Sequence, residues 1–301
     1  MALTRSDMDS AFDEAVGEMV IGSLPRTPVM YPEFFDLQPM TGGSVTHASI
    51  GELAAFSEKI EGAELSEDEP VQQFKRTHQA TVYGRVLKVT EEMIRDQNWI
   101  GASDFGLMFS VANAKIYENR GARVLNNATS TTYHTGEDGL AICASTHTDP
   151  DGSTITNFDN LHALSLSYDN VLTARTAAMK IPGYSSDDIV SIIPDELWCP
   201  VDLQDTMFTI LQSTKAPSTN NNDANLLMGL QGRVWKYMTD TNRWFLSDSN
   251  ARRMNAKCYV SWPLEIVFDT NWSQLSRRIG GYTRFVYAVK DSRFLTCSEP
   301  S

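Results

Sequence analysis

Residues 75–96 read KRTHQATVYGRVLKVTEEMIRD, and the pattern changes once within this stretch. In its first half, large side chains occupy every second position, which is the spacing of a β-strand. One face of that strand carries Tyr83, Arg85, Leu87 and Val89. At Thr90 the alternation ends, and the two glutamates that follow suit the positive end of a helix dipole. The stretch therefore predicts a strand over residues 79–89 and then a short helix that ends near Asn98.

A longer helix is predicted directly after this one. From Asp104 to about Leu125, apolar residues recur three and four positions apart, and Ser103 or Asp104 provides the N-cap. The apolar stripe consists of Phe105, Met108, Phe109, Ala112, Ile116 and Tyr117. A helix of about 22 residues is roughly 33 Å long at 1.5 Å per residue, which makes it the longest helix that the sequence predicts.

The chain before residue 75 is acidic and has little apolar character. Between Glu58 and Glu69 there are six acidic residues and one basic residue, Lys59. Such a stretch is typical of a solvated loop or a disordered segment. Because a strand follows it at once, we expect the acidic stretch to form the tip of a long two-stranded hairpin.

The N-terminal part divides into a helix and an arm. Apolar residues at helical spacing in residues 6–19 predict a short helix. Four prolines then stiffen residues 24–40, and Phe34 and Phe35 stand in this run without any periodicity. The run is predicted to be an extended arm that packs against a neighbouring molecule.

The second half of the chain mixes helices and strands. Residues 129–160 are rich in turn signals, and a helix capped by Ser165 or Ser167 follows and runs to Met179. The apolar run 189–193 is predicted to be a buried strand, and a further helix begins at Pro200. Other strands are expected around residues 233–238, 244–246, 257–268 and 283–289. The order of elements shows no regular βαβ alternation, so the predicted fold class is α+β.

Composition and charge exclude several classes of protein. The chain has 301 residues, 42% of them apolar, with 25 Lys and Arg against 38 Asp and Glu, for a net charge of −13. This length supports a large core in one to three domains. A chain so acidic repels the phosphate backbone, so sequence-specific binding of nucleic acid is not expected. No export signal or membrane-spanning stretch is recognisable, and four scattered cysteines favour free thiols in a reducing cytoplasm.

No enzyme motif occurs in the sequence. The phosphate-binding, dinucleotide-binding, serine-hydrolase and zinc-protease motifs are all missing. His134, Cys143 and His147, with Asp149 nearby, come nearest to a metal site, but their spacing matches no usual zinc pattern. We therefore expect no cofactor, no metal and no catalytic activity. A metal-dependent enzyme that uses these residues is kept as the less favoured alternative.

Several short segments follow one another in a characteristic order. They are FSEKIEGAEL at 56–65, the stretch 75–96 quoted above, CASTH at 143–147, LSLSY at 164–168, IPDELWCPV at 193–201, LQST at 211–214, NLLMG at 225–229 and WFLSD at 244–248. Taken together, they resemble the major capsid protein of tailed phages, in particular the Mu-type major head subunit family. That family has the Hong Kong 97 type of fold.

The resemblance implies a division of the chain. Residues 1–40 would form the N-arm, 41–85 the E-loop, 86–160 the P-domain with a long spine helix, and 161–261 the A-domain. Residues 262–301 would return through the P-domain to the C-terminal end. The resemblance also implies a set of subunit-interface residues: Phe34, Phe35, Glu58, Lys59, Glu61, Glu64, Lys75, Asn225 and Trp244.

The same resemblance implies a function. The chain would assemble with copies of itself into pentamers and hexamers of an icosahedral shell around a double-stranded DNA genome, with no sequence-specific contact to that DNA. Further expected partners are a portal, a separate scaffold protein and a maturation protease. The protein would be found in the virion after assembly in the cytoplasm of a bacterial host. An encapsulin-like protein compartment of the same fold, with an enzyme cargo, is the alternative that the residues leave open.

Overall fold

The computed structural model describes residues 29–50, 58–59, 61–62, 64, 72–90, 92, 102–155, 158–184, 189–217 and 223–300. The helices in these ranges are α1 (Tyr31–Phe34), α2 (Ala102–Asn126), α3 (Tyr168–Ala178), α4 (Gln204–Gln212) and α5 (Ser249–Asn255). The strands are β1 (Asp36–Pro39), β2 (Ser44–Ile50), β3 (Gln72–Gln79), β4 (Thr81–Thr90), β5 (Leu161–His162), β6 (Glu196–Cys199), β7 (Gln231–Val234), β8 (Trp244–Ser247), β9 (Ala256–Asn271), β10 (Ser276–Val289) and β11 (Leu295–Ser298). The predicted mixed fold class is confirmed.

A four-stranded sheet in the order β1–β9–β10–β4 forms the first half of the body. The strands β9 and β10 are 16 and 14 residues long and pair antiparallel as a long hairpin. On the two edges, β4 pairs antiparallel with β10, and β1 pairs parallel with β9. The strand predicted from the alternation over residues 79–89 is therefore confirmed as β4.

The long helix α2 packs across this sheet. Its bounds, Ala102–Asn126, confirm the helix predicted from Asp104 to about Leu125. Phe109 of the helix lies over Gly281 of β10, where a Cβ atom would come within 2.6 Å of the ring, so this close approach requires a glycine. At the other end of the helix, Arg243 donates a 2.7 Å hydrogen bond to the carbonyl oxygen of Asn126. This contact satisfies a carbonyl that has no partner within the helix.

A second sheet, in the order β5–β11–β8–β6–β7, is buried on both faces. Its residues facing α2 and the first sheet include Trp198, Phe245 and Leu295. Those facing α3 and α4 include Leu197, Trp244 and Leu246. The helix α3 begins where predicted, because the Ser167 hydroxyl oxygen accepts a 3.3 Å hydrogen bond from the Asn170 amide. The helix predicted from Pro200 is also confirmed, as a short 3₁₀ turn that leads into α4.

The acidic stretch is flanked by the hairpin that the sequence predicts. The strands β2 and β3 pair antiparallel from Ser44 with Gln79 at the near end to Ile50 with Gln72 at the far end. One face of the hairpin rests on the body, where the ring of Phe74 lies 5.2 Å from that of Tyr184. We call β2, β3 and the residues between them the acidic hairpin.

Residues 189–193 do not form the predicted buried strand. Ile189 and Ile193 are 65% and 54% exposed, although Ile192 is buried. The strand-like pairing of this run consists of one bridge between Ile189 and Pro182, and the Ile193 amide instead donates a 2.8 Å hydrogen bond to the Asp248 carboxylate. A continuous apolar run has no period of two, so its composition alone does not establish a strand. The strand expected around 233–238 is also displaced, to Gln231–Val234.

The prediction that residues 24–40 form an arm against a neighbouring molecule is wrong for Phe34 and Phe35. Leu37, Gln38 and Pro39 on β1 are exposed, and for them it stays a prediction. Phe34 and Phe35 are fully buried in their own chain. The ring of Phe34 lies 5.0 Å from that of Trp198, and the ring of Phe35 lies 4.5 Å from that of Tyr287. These partners are far away in the sequence, which is why the run shows no periodicity of its own. The helices predicted at 6–19 and before Asn98 lie, apart from Glu92, outside the described residues.

Candidate functional site

The residues that came nearest to a metal site organise a loop instead. His147 is fully buried, with its Nδ1 2.8 Å from an Asp138 carboxylate oxygen and its Nε2 3.0 Å from the Asn160 side-chain oxygen. Cys143 lies in the main core. Within the ranges that the structure describes, no group of three or more His, Cys, Asp or Glu side chains is placed to hold a metal ion. A turn at Asp149, one of those expected from the turn signals in residues 129–160, is closed by a 2.9 Å hydrogen bond from the Gly152 amide to the Asp149 carbonyl oxygen.

The contact between His147 and Asp138 accounts for the protonation of both groups. Burial by itself would lower the pKa of the His147 imidazole, but its hydrogen bonds with Asp138 and Asn160 outweigh burial and raise that pKa. Burial would likewise raise the pKa of Asp138, but the hydrogen bond with His147 lowers it. Both shifts favour an ion pair between two groups that already hold the loop together, which is a structural role.

The four cysteine thiols are buried, and burial makes the thiolate form unfavourable in two of them. Cys143, Cys199, Cys258 and Cys297 are all free and buried. Burial raises the pKa of Cys199 to about 12 and that of Cys258 to about 12. Since the thiolate is the nucleophilic form, these shifts favour the inert thiol at neutral pH.

The candidate functional surface is therefore sought on the outside of the molecule, beginning with the acidic hairpin. Glu58, Lys59, Glu61 and Glu64 are all exposed, and so is Lys75 on β3. In the described part of the chain, none of the three glutamates forms an ion pair or a side-chain hydrogen bond. Glu58, Glu61 and Glu64 thus present negative charge to solvent.

A second exposed surface surrounds α4 and the loop before β7. Leu226 and Met228 are 68% and 54% exposed. The nearby segment around α4 adds Val201 and Phe208, which are also exposed. We call these four residues the apolar rim. The side chain of Asn225 ties the loop before β7 to the end of α4, so the four residues lie on neighbouring segments. Large exposed apolar surface on a folded chain often marks a surface that another molecule covers.

A third exposed surface runs along α2 and β4. Leu107 and Met108, in the first turns of α2, are both about half exposed. Val82 and Val86, on β4, are more than half exposed. An open apolar recess of about 620 Å³ along α2 is lined by Leu107, Met108, Val111, Ile116 and the stems of Arg85 and Lys115, among others. The helix therefore keeps a part of its apolar surface uncovered by its own chain.

Four of the sequence-predicted interface residues have no exposed face of this kind. Phe34, Phe35 and Trp244 are fully buried in their own subunit, and the Trp244 indole donates a 2.9 Å hydrogen bond to the Leu164 carbonyl oxygen. Asn225 is buried as well, and its side-chain amide donates 2.7 Å hydrogen bonds to the carbonyl oxygens of Ile210 and Ser213. Asn225 thereby shapes the loop that displays the apolar rim. The exposed members of the predicted set are Glu58, Lys59, Glu61, Glu64 and Lys75.

Sequence reasoning missed the charged residues that lock the N-terminal segment to the body. One oxygen of the Glu118 carboxylate accepts hydrogen bonds from the backbone amides of Met30 and Tyr31, and the other accepts a 2.6 Å bond from the Trp235 indole. Arg252 donates a 2.6 Å bond to the carbonyl oxygen of Phe34. These partners are between 87 and 218 residues apart in the sequence, and no local pattern marks them.

The comparisons with known proteins agree with this geometry. The family model described as phage capsid protein matches residues 74–298. Because this match covers well over half of the chain, the chain belongs to the phage capsid protein family. No curated protein sequence matches the chain.

Solved structures share the fold at low sequence identity. The capsid of the cyanophage P-SCSP1u has a TM-score of 0.60 at 8% identity, and the match covers 91% of this chain and 88% of that chain. The procapsid of bacteriophage JBD30 has a TM-score of 0.53 at 13% identity, with 99% and 76% covered. A virus-like particle from Pyrococcus furiosus has a TM-score of 0.54 at 10% identity, with 95% and 98% covered. The expected resemblance to tailed-phage major capsid proteins of the Hong Kong 97 type is thus confirmed.

Proposed function

We propose that this major capsid protein closes into an icosahedral shell of pentamers and hexamers. The observation that carries the proposal is the acidic hairpin and the apolar rim, both exposed on a chain whose family forms capsids. A typical stable interface buries about 1,600 Å² in total, and many such contacts around each subunit stabilise a closed assembly even when each one is weak.

We assign roles to the parts of the chain on the same basis. The acidic hairpin corresponds to the E-loop expected at 41–85, and α2 to the spine helix of a P-domain that includes the first sheet. The second sheet with α3, α4 and the apolar rim corresponds to the A-domain, which we place around the axis of each capsomer. The strand β9 runs through the boundary expected at 261, and β11 returns the C-terminal end to the second sheet. The N-arm was expected to comprise residues 1–40. Because residues 29–40 belong to the body, we propose a shorter arm that ends before residue 29.

We further propose that the shell encloses a double-stranded DNA genome and assembles with accessory proteins. A net charge of −13 suits a wall that encloses DNA without adhering to it. The remaining partners that we propose are a portal, a separate scaffold protein and a maturation protease, with assembly in the cytoplasm of a bacterial host. The described ranges contain no helix that is long and apolar enough to cross a membrane. We propose no catalytic role for the chain.

An encapsulin-like compartment is the second candidate. The similarity to the virus-like particle from Pyrococcus furiosus, which extends over nearly the whole of both chains, favours it. The two candidates differ in what the shell contains. Particles purified from the native source would hold a double-stranded DNA genome in the first case and a protein cargo in the second.

The test is electron microscopy of the purified full-length chain, alone and with its accessory proteins. We expect curved sheets or closed shells made of five- and six-fold rings. Discrete monomers under all of these conditions would contradict the proposed function.

A further inference from the structure

A cavity of about 350 Å³ lies at the near end of the acidic hairpin and is lined by basic side chains. β3 contributes Arg76 and His78 to its wall, α2 contributes Arg120 and Arg123, and the loop after α2 contributes His134. Tyrosine, threonine, glutamine and apolar side chains complete the lining, and no carboxylate is among the lining residues in the described part of the chain. In a protein with a net charge of −13, a cavity with three guanidinium groups and no acid is unexpected.

The three arginines are held in place without being neutralised. The Arg120 guanidinium lies 5.0 Å from the ring centre of Tyr83, and that of Arg123 lies 3.1 Å from the ring centre of Tyr133. The Arg76 Nε donates a 3.2 Å hydrogen bond to the backbone carbonyl oxygen of Glu137. Throughout the described ranges, none of the three forms an ion pair with an Asp or Glu side chain.

The two histidines of the cavity add little positive charge of their own. Burial, followed by the nearby charges of Arg123, His78 and Arg120, lowers the pKa of His134 to about 4. Burial and the charge of Arg76 lower the pKa of His78. Burial is the larger cause of both shifts, and the arginine charges act in the same direction. The three guanidinium groups are therefore the cations that would attract an anion, and the planar fork of arginine matches a carboxylate.

The chain has a matching set of carboxylates that form no ion pair with the residues the structure describes. Glu58, Glu61 and Glu64 are exposed, and they belong to a stretch with six acidic residues and one basic residue. That stretch joins the far end of the hairpin, beyond Ile50 and Gln72, whereas the cavity is lined by residues 76–79, four to seven residues away along β3. At 3.3 Å per residue this separation is about 13 to 23 Å. In the structure, none of these glutamates pairs with the cavity of its own subunit.

We propose that the cavity of Arg76, Arg120 and Arg123 receives the acidic residues 58–69 of a second copy of this chain. This inference rests on the proposed shell function and specifies one of its contacts. Each subunit would give a tip to one neighbour and accept a tip from another, which is the head-to-tail type of contact that closes a ring. Three cations are better matched by a segment with several carboxylates than by one small anion, and the net negative charge of the chain disfavours a nucleic-acid occupant.

The first experiment is a charge swap in the full-length chain, with particle yield measured by sedimentation and electron microscopy. We expect R120E/R123E to lower the yield at least tenfold, and E58K/E61K/E64K to do the same. The combined five-substitution variant restores the opposite charges and is expected to recover at least half of the wild-type yield. The control is K180E/R253E, two reversals at exposed residues outside the cavity, which is expected to assemble like the wild type.

The outcomes separate this inference from the function on which it rests. Absence of shells from the wild-type chain would overturn both. Wild-type shells together with normal assembly of R120E/R123E would overturn the inference alone. Failure of the combined variant to recover, while each parent variant remains a folded subunit by circular dichroism, would also overturn it. Binding of inorganic phosphate that depends on Arg120 and Arg123, with no effect of R120E/R123E on assembly, would identify a small-anion site instead and overturn the pairing.

A second measurement does not depend on how well the charge variants fold. Cysteines are introduced at two exposed positions, Gly62 in the tip and Thr132 beside the cavity, in a chain whose four native cysteines are buried. Treatment of assembled G62C/T132C particles with a short bis-maleimide is expected to give a ladder of linked chains on a denaturing gel, while G62C and T132C alone give none. Equal linking in the single and double variants, or no ladder from the double variant, would overturn the inference.

Discussion

Arg252 joins three parts of the molecule through one buried side chain. Its guanidinium donates 2.7 and 2.9 Å hydrogen bonds to the two Glu196 carboxylate oxygens, in addition to the bond to Phe34 described above. The Glu196 carboxylate is further held by the Trp198 indole and the Ser247 hydroxyl. An ion pair that is buried and fully bonded in this way is costly to break from one side, because the partner charge is left without compensation.

Removal of this guanidinium therefore has a large predicted effect. We expect R252M to lower the free energy of unfolding of the subunit by about 3–5 kcal/mol. Arg253, the next residue on α5, is exposed, so R253M is a matched control with an expected change within about 0.5 kcal/mol. Denaturant titration of the unassembled subunit measures both values. Equal stability of R252M and R253M would show that the buried pair does not stabilise the fold.

The buried carboxyl of Glu137 gives the fold a pH dependence. One of its oxygens accepts hydrogen bonds from the Tyr184 hydroxyl and from the Ser292 amide and hydroxyl. Burial and the nearby charge of Asp291 raise the pKa of Glu137 to about 7. The folded state therefore holds a proton that the unfolded state releases at lower pH, so this group's contribution to stability is complete at acid pH and is lost as the pH rises through about 7.

Replacement of Glu137 by an uncharged analogue tests that dependence. In E137Q the amide oxygen still accepts the same hydrogen bonds, but no proton is released. We expect the stability of the wild type to fall more steeply than that of E137Q between pH 5 and pH 8, by an amount on the order of 3 kcal/mol. Thermal or denaturant unfolding across this pH range gives the two slopes. Parallel profiles would mean that Glu137 ionises in the folded state as freely as in the unfolded one.

At the scale of elements, Phe34 and Phe35 anchor the segment α1–β1 in the core, and β1 is the edge strand that follows them. Since the ring of Phe34 contacts Trp198, Trp235 and Phe294, we expect F34A to lower the free energy of unfolding of the subunit by about 3–5 kcal/mol. The control is F208A on α4, whose side chain is 39% exposed and whose loss is expected to cost less than about 1 kcal/mol. If F34A left the stability of the subunit unchanged and impaired only assembly, Phe34 would pack against a neighbouring molecule and not in its own core.

Sequence periodicity accounts for the elements that could be predicted. The helices α2, α3 and α4 each bury one stripe, and β4 lies at the edge of a sheet, so all four show the period of their structure. The strands β6 and β11 were missed because every residue in them is buried, and a short strand covered on both faces has no alternation. The same reasoning mistook the apolar run 189–193 for a strand. For β6 and β11, and for residues 189–193, the outcome depends on which residues pack against them, and the local sequence does not contain that information.

The same limit applies to the candidate site. The acidic tip could be recognised because charge is visible in the sequence, and its exposed glutamates are where the prediction placed them. The basic cavity could not, because its arginines come from β3 and α2, and only the fold brings Arg76 beside Arg120 and Arg123. Phe34, Phe35 and Trp244 were predicted to lie at an interface, but they are buried in their own subunit. Large aromatic residues are as typical of a core as of an interface, so the residue type alone does not distinguish the two.

The acidic hairpin can be tested as an element separate from the core. Replacement of residues 58–69 by a short Gly-Ser linker leaves the paired strands β2 and β3 intact, so we expect a folded subunit whose unfolding remains cooperative. Shell yield is expected to fall sharply, because the contact made by the tip is lost. Calorimetry of the subunit and electron microscopy of the assembly reaction read the two effects separately. Loss of cooperative unfolding in the deletion variant would assign the tip to the core.

At the scale of the whole molecule, the described chain has well-packed cores but several exposed surfaces that suit contact with another molecule. Two cores enclose the second sheet, and the long helix covers the first. Outside them remain an acidic tip, a basic cavity and the apolar rim, and no residue that the structure describes neutralises or covers them. These surfaces do not stabilise a single chain. In a shell, by contrast, the surfaces of neighbouring copies can pack against one another and stabilise the assembly.

The most direct test of this account is a cryo-electron microscopy reconstruction of assembled particles. We expect a closed shell of five- and six-fold rings. In that shell, Glu61 and Glu64 of each tip and Leu226 and Met228 of each apolar rim are buried against adjacent copies. Particles in which these four side chains face solvent, or preparations that contain only single folded chains, would contradict it.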